Sequence, residues 1–173
     1  MSTSKYSIAI VPDAITIEVI KELKLHLAKE IGWYSSKNAL AHITIGEFEG
    51  NSSSLQHIHE QISSVCEVLK SFDISFEKLD SFTTTGTLYM KPNATSTNNI
   101  INVMRLFHQR LNLKGSVANP YLTIGRKLTL EQIDIGKQVL HFTPFHFTCS
   151  NISLRKFNPE ITQYEVIHTY NFN

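Results

Sequence analysis

The sequence predicts an α+β fold of two lobes related by a pseudo-two-fold repeat. Each lobe is a β-α-β-α-β unit, with two antiparallel-rich sheets facing a central cleft and the helices outside. Three observations lead there. Apolar residues switch between strand and helix spacing along nearly all of the 173 residues. The order of elements runs through once and then begins again. The triplet Thr-Ile-Gly also occurs at matching places in the two runs, at 44–46 and 123–125. Duplicated halves that pack about such an axis set equivalent strands opposite each other across one cleft. The chain is read as a single domain, 1–173, with lobe one over about 1–82 and lobe two over about 83–173.

Residues 5–11 (KYSIAIV) form a strand that Pro12-Asp13 stops. Asp13 caps the helix that follows, where Ile17, Ile20, Leu23, Lys24, Leu27 and Ile31 recur at helical spacing. A second strand spans 39–47 (ALAHITIGE). The polar run Asn51 to Ser54 is loop and cap before a helix striped by Leu55, Ile58, Ile62, Val65 and Leu69. In 72–79 (FDISFEKL), Phe72, Ile74 and Phe76 share one face of a third strand. After the turn-forming Thr83 to Gly86, residues 87–91 (TLYMK) make a strand ending at Pro92. Ile100, Met104, Phe107 and Leu111 place a helix over 97–112, and 120–126 (PYLTIGR) is the next strand. Thr129 and Gln132 have capping-box spacing before a helix to about Leu140. The last two strands are 146–157 and 163–172, the second alternating Tyr164, Val166, His168, Tyr170 and Phe172.

With 42% hydrophobic and 18% charged residues, the composition is that of a globular protein and excludes a disordered tail. A formal charge of +1 gives no long-range pull on nucleic acid or anionic lipid. Any phosphate recognition must therefore be local. The eight histidines are scattered without metal-ligand spacing, and His57 and His59 read as solvated surface. Cys66 and Cys149 suggest no disulfide framework and suit a reducing compartment. The first apolar run is too short for a signal peptide, and no later run approaches a membrane span. The expectation is a cytoplasmic monomer without metal, cofactor or membrane contact.

On a strand, residues two apart share a face. His42 and Thr44 therefore point one way, with Ile43 and Ile45 behind them. Tyr121 and Thr123 repeat the arrangement in the second lobe, flanked by Arg126. Two hydroxyls for non-bridging oxygens, a cation and two proton-carrying rings suit a phosphodiester. Arg155 and Lys91 are weaker candidates for the same groove.

At these residues the chain resembles the 2H phosphoesterases, which include 2′-5′ RNA ligase-like and cyclic phosphodiesterase proteins. The resemblance is carried by AHITIGEF at 41–48, NPYLTIGRK at 119–127 and ISLRKFNPEITQYEVIHTYNF at 152–172, and it covers essentially the whole chain. It implies one His-x-Thr per lobe: one histidine acts as base toward a water or ribose hydroxyl, and the other protonates the departing oxygen. His42 carries over to one of these roles. The second motif departs from the family pattern, because Pro120, Leu122, Thr123, Gly125 and Arg126 fit but Tyr121 stands at the histidine. A phenol, with an ordinary pKa of about 10, donates a proton at neutral pH but does not accept one. Losing one acid/base group costs roughly 10²–10⁴-fold in rate.

The resemblance thus implies an enzyme of phosphodiester hydrolase or 2′-5′ RNA ligase type, independent of metal. It would act on RNA ends or small nucleotide 2′,3′-cyclic phosphates, impaired by Tyr121. The alternative is an inactive nucleotide- or RNA-end-binding module of the same fold. Two further His-x-Thr triplets, His141-Phe142-Thr143 and His146-Phe147-Thr148, are remoter sources of a replacement histidine.

Overall fold

The computed structural model describes residues 3–173. The elements are β1 (Ser4–Ile10), α1 (Ala14–Ile31), β2 (Ile43–Gly50), α2 (Ser52–Cys66), β3 (Phe72–Phe82) and β4 (Thr87–Pro92). They continue with α3 (Ala94–Leu111), β5 (Leu122–Gly125), α4 (Leu130–Val139), β6 (Phe145–Cys149), β7 (Asn151–Asn158) and β8 (Gln163–Asn171). The strands form two four-stranded antiparallel sheets, ordered β2-β1-β7-β8 and β5-β4-β3-β6. The fold is α+β, with α1 against α4 and α2 against α3.

The helices start where the sequence supplies caps. Asp13 accepts from the Thr16 amide at 2.8 Å, while Asn51–Ser54 and Thr129–Gln132 form capping boxes. Asn93 caps α3 through the Ser96 amide at 2.9 Å, so that helix begins three residues before the expected 97. The apolar stripes then face the sheets: Ile20, Leu27, Ile62, Ile100, Phe107 and Ile133 are almost wholly buried.

The sheets do not divide the chain at residue 82. β3 pairs with β4 and β6 in the second sheet, and β7 and β8 return to pair beside β1 in the first. The physical reason is the short turn after Phe82, since strands joined so tightly pair with each other. The strand expected over 146–157 is correspondingly two. β6 stops at Cys149 in one sheet, and β7 begins at Asn151 in the other.

Gly86 makes the hairpin turn possible. Its φ is +64°, and a Cβ there would lie 2.3 Å from the Leu128 carbonyl oxygen. The Leu128 amide donates to the Gly86 carbonyl at 3.0 Å, which pins the two segments together. Gly86→Ala is expected to cost about 2–4 kcal/mol, from left-handed backbone strain plus overpacking. Urea denaturation measures it, and a loss below about 0.5 kcal/mol would show that the turn relaxes freely.

Candidate active site

The two Thr-Ile-Gly strands carry the same irregularity. In the first sheet Ile8 pairs with Gly46 but Ala9 pairs with Thr44, which leaves Ile45 unpaired. In the second, Leu88 pairs with Gly125 and Tyr89 with Thr123, which leaves Ile124 unpaired. Each is a β-bulge at the central isoleucine, and a bulge re-aims the side chains on either side of it.

The consequence in the first sheet is specific. Ser7 and Ala9 share a face, and Ser7 pairs with Glu47 on one side and Arg155 on the other. Thr44, Glu47 and Arg155 are therefore brought to one face, although Thr44 and Glu47 are three residues apart. Gly46 is where neighbouring chain comes close: a Cβ there would lie 2.5 Å from Leu113 Cδ1 and 3.5 Å from His108 Nε2.

His42 and Tyr121 hold equivalent positions, each immediately before the first residue of its strand. Together with Thr44, Thr123 and Arg126 they line one cavity of about 350 Å³, completed by Glu47, His108, Lys114, Ser116 and Asn119 among others. A second cavity of about 380 Å³ adjoins it and shares His42, Thr44, Glu47, Thr123 and Arg126. A larger groove of about 610 Å³ over Phe48, Ile58, Leu111 and Leu113 meets the first cavity at Glu47 and Lys114, but reaches neither His42 nor Tyr121.

The chemistry of His42 follows from its contacts. Its Nδ1 lies 2.6 Å from the Leu40 carbonyl oxygen, which only accepts, so Nδ1 carries the proton. Burial, then the nearby Arg155, Arg126 and Lys24 cations, pull its pKa down to about 3 against the weaker opposing effect of that bond. The ring is therefore neutral at physiological pH, with its free lone pair on Nε2. This is the form of a general base.

The three cations are built in from different elements. Arg155 of β7 is buried, donates to Ser7 Oγ at 2.7 Å and stacks 5.3 Å from the Tyr164 ring centre. Lys24 of α1 is buried and donates to the carbonyls of Ala39 at 2.7 Å and Ser36 at 3.4 Å, which holds the loop leading to His42. Arg126 is exposed, and its amide donates to Ser36 Oγ at 2.9 Å, tying the second motif to the same loop. Lys24 was readable only as a charge inside an apolar helix stripe, and that mismatch was the signal for its role here.

Tyr121 packs among aromatic rings, with Phe82 at 5.3 Å and Tyr89 at 5.1 Å between centres. His108, which no strand motif singled out, joins the cavity from α3 and donates through Nε2 to the Ile45 carbonyl at 3.1 Å. His141 and His146 line neither cavity, and β6 is the sheet edge farthest from β5. Lys91 points to a neighbouring cavity and pairs with Asp80 at 3.7 Å. His59 is not simply solvated: its Nδ1 bonds the Tyr170 hydroxyl and its ring abuts His168. Among the described residues no group of three or more His, Cys, Asp or Glu could hold a metal ion, and no helix is long and apolar enough to cross a membrane.

The sequence matches the family described as the 2′-5′ RNA ligase superfamily over residues 11–159. The chain belongs to that superfamily. Solved structures show the same fold along almost its full length. Escherichia coli LigT in apo form is similar at TM-score 0.72 and 11% identity, covering 100% of this chain and 99% of that one. TT0787 of Thermus thermophilus gives 0.69 at 11% identity over 97% of each chain. Kluyveromyces marxianus Usb1, solved with uridine monophosphate, gives 0.52 at 10% identity over 97% of each. No curated protein sequence matches the chain.

Within this 2H fold the state of His42 has a measurable consequence. An unfolded imidazole titrates at about 6.5, whereas folded His42 titrates at about 3. As the pH falls from about 6.5 toward that value, the unfolded chain binds a proton that the folded chain refuses, so stability drops through this window. Above it, His42 contributes no slope. The melting temperature of the wild type should fall more steeply on acidification than that of His42→Gln. Parallel curves would contradict the half-buried, cation-flanked imidazole.

Proposed function

We propose that this protein is a metal-independent phosphodiesterase that opens 2′,3′-cyclic phosphates on RNA ends or small nucleotides. What supports the reading above all is one cavity lined by His42, Thr44, Tyr121, Thr123 and Arg126, with His42 neutral and its basic nitrogen free. In this reading Thr44 and Thr123 donate to the non-bridging oxygens, and Arg126 offsets their charge. His42 Nε2 takes a proton from the attacking water as its oxygen bonds phosphorus. The bond from phosphorus to one ribose oxygen breaks, and that oxygen takes the Tyr121 hydroxyl proton. The product is a phosphomonoester; His42 gives its proton up to solvent, and solvent reprotonates the phenolate.

Electrostatics favours the sequence of events. Burial and the Arg155, Arg126 and Lys24 cations hold His42 unprotonated. An anionic phosphate offsets that positive field, so the imidazole becomes a better proton acceptor when substrate is bound. LigT has been solved with phosphate, 3′-AMP, ATP and NADP+, and phosphate-bearing nucleotides are the ligands this cavity suits too.

The packing of Tyr121 against Phe82 and Tyr89 favours a second reading, a binding module in which that ring holds a ribose or base without moving a proton. Incubation with 2′,3′-cyclic AMP and a chelator separates the two. An enzyme converts it to a phosphomonoester with the chelator present. A binder leaves it intact but melts higher with adenosine 3′-monophosphate. Neither response would mean that the cavity is no nucleotide site.

A further inference from the structure

The second cavity is lined by Lys24, Arg126, Lys127 and Arg155, with Glu47 as its carboxylate. Lys24 and Arg155 are 3% and 2% exposed. Neither they nor Arg126 is in an ion pair among the described residues. Burying a cation is costly unless its charge and donors are met. Lys24 spends its donors on the Ala39 and Ser36 carbonyls, whereas Arg155 has only the field of Glu47 to offset it. Arg155 makes the case most sharply. Its guanidinium donates once, to Ser7 Oγ, and its buried Nε has no hydrogen-bond partner among the described residues. Two oxygens of one phosphate match a guanidinium edge.

The hydroxyl-lined pocket between Thr44 and Thr123 does not need these groups. It has Lys114 and the shared Arg126 as cations, and Arg155, Lys24 and Lys127 lie only in the adjoining cavity. The two cavities meet at His42, Thr44, Glu47, Thr123 and Arg126, so one ligand can span both.

We propose that the second cavity is an anion subsite for a terminal phosphate carried on the same substrate, beside the phosphorus that reacts. This rests on reading the first cavity as the phosphodiester site. The substrate class is thereby narrowed to nucleotides or short RNA ends that bear a phosphomonoester in addition to the cyclic or 2′-5′-linked phosphate. Glu47 opposes such a charge, and its place at the junction of the cavities keeps the two phosphates apart.

Isothermal titration of three probes tests the subsite: inorganic pyrophosphate, adenosine 3′-monophosphate and adenosine 3′,5′-bisphosphate. They are titrated into the wild type, Arg155→Gln and Lys127→Glu. Lys127 is exposed, already sits at φ +56°, and lines only the second cavity, so its variant keeps the fold even if Arg155→Gln does not. The wild type should bind the bisphosphate about tenfold more tightly than the monophosphate. Both variants should bring that ratio below about threefold and leave monophosphate affinity nearly unchanged.

Pyrophosphate binding that Lys127→Glu weakens about fivefold or more supports the subsite even where neither nucleotide binds, and in that case only the nucleotide reading falls. Pyrophosphate that fails to bind the wild type overturns the subsite, whatever the cyclic phosphate assay shows. So do equal affinities for the two nucleotides, or a preference that survives Lys127→Glu.

Discussion

His42→Ala is expected to lower kcat for 2′,3′-cyclic phosphate opening by about 10²–10⁴-fold, while KM for the same substrate moves little. The split follows from geometry. In the proposed reading Thr44, Thr123 and Arg126, which line the cavity with His42, hold the phosphate whether or not the imidazole is there, so binding survives its removal. The proton on the attacking water then has no acceptor in place of Nε2, which carries the lone pair because Nδ1 is committed to the Leu40 carbonyl. A variant that kept kcat and raised KM would make His42 a binding group and remove it from the proton transfer. The substitution should not unfold the protein, since it removes a cost: at acid pH the folded chain no longer has to refuse a proton.

Tyr121→His is expected to act in the opposite direction, raising kcat by about 10–100-fold. It places an imidazole where the second motif of the 2H phosphoesterases has one, directly before β5 and in the same cavity lining as His42. An imidazolium gives up its proton to a departing alkoxide more readily than a phenol does. The ring should fit, because it is smaller than the phenol that already packs beside Phe82 and Tyr89. The pH profile should change as well, acquiring a falling limb on the alkaline side as the new acid loses its proton. An unchanged or lowered kcat would mean that position 121 only packs, and it would favour the binding module.

The parts of this molecule set by local spacing were legible in the sequence. The Thr-Ile-Gly repeat located both cavity-lining strands, and the buried isoleucines at 43 and 124 stand behind Thr44 and Thr123 as alternation requires. Asp13 and the Thr129–Gln132 box gave helix starts to the residue. Sheet membership was not legible. Strand order within the chain says nothing of which edge a strand joins, so the departure of β3 to the second sheet and the return of β7 and β8 to the first were missed.

The bulges at Ile45 and Ile124 were equally silent, because a one-residue slip leaves no mark on composition. They matter, since without the first one Glu47 would face away from Thr44. Arg155 offered a faint signal. It follows Ser153 on a strand whose other face is Ile152 and Leu154, so the polar residues alternate toward one side. What sets that side toward the cleft is the pairing of Ser7 with both Arg155 and Glu47, which no sequence pattern encodes.

The most direct measurement is a crystal structure with inorganic phosphate or 2′,3′-cyclic AMP bound. The predicted result is a phosphorus centre held by the hydroxyls of Thr44 and Thr123, with His42 Nε2 on one side and the Tyr121 hydroxyl on the other. A pocket between the threonines left unoccupied while phosphate binds elsewhere contradicts it, as does phosphate between the threonines with the His42 ring turned away from it.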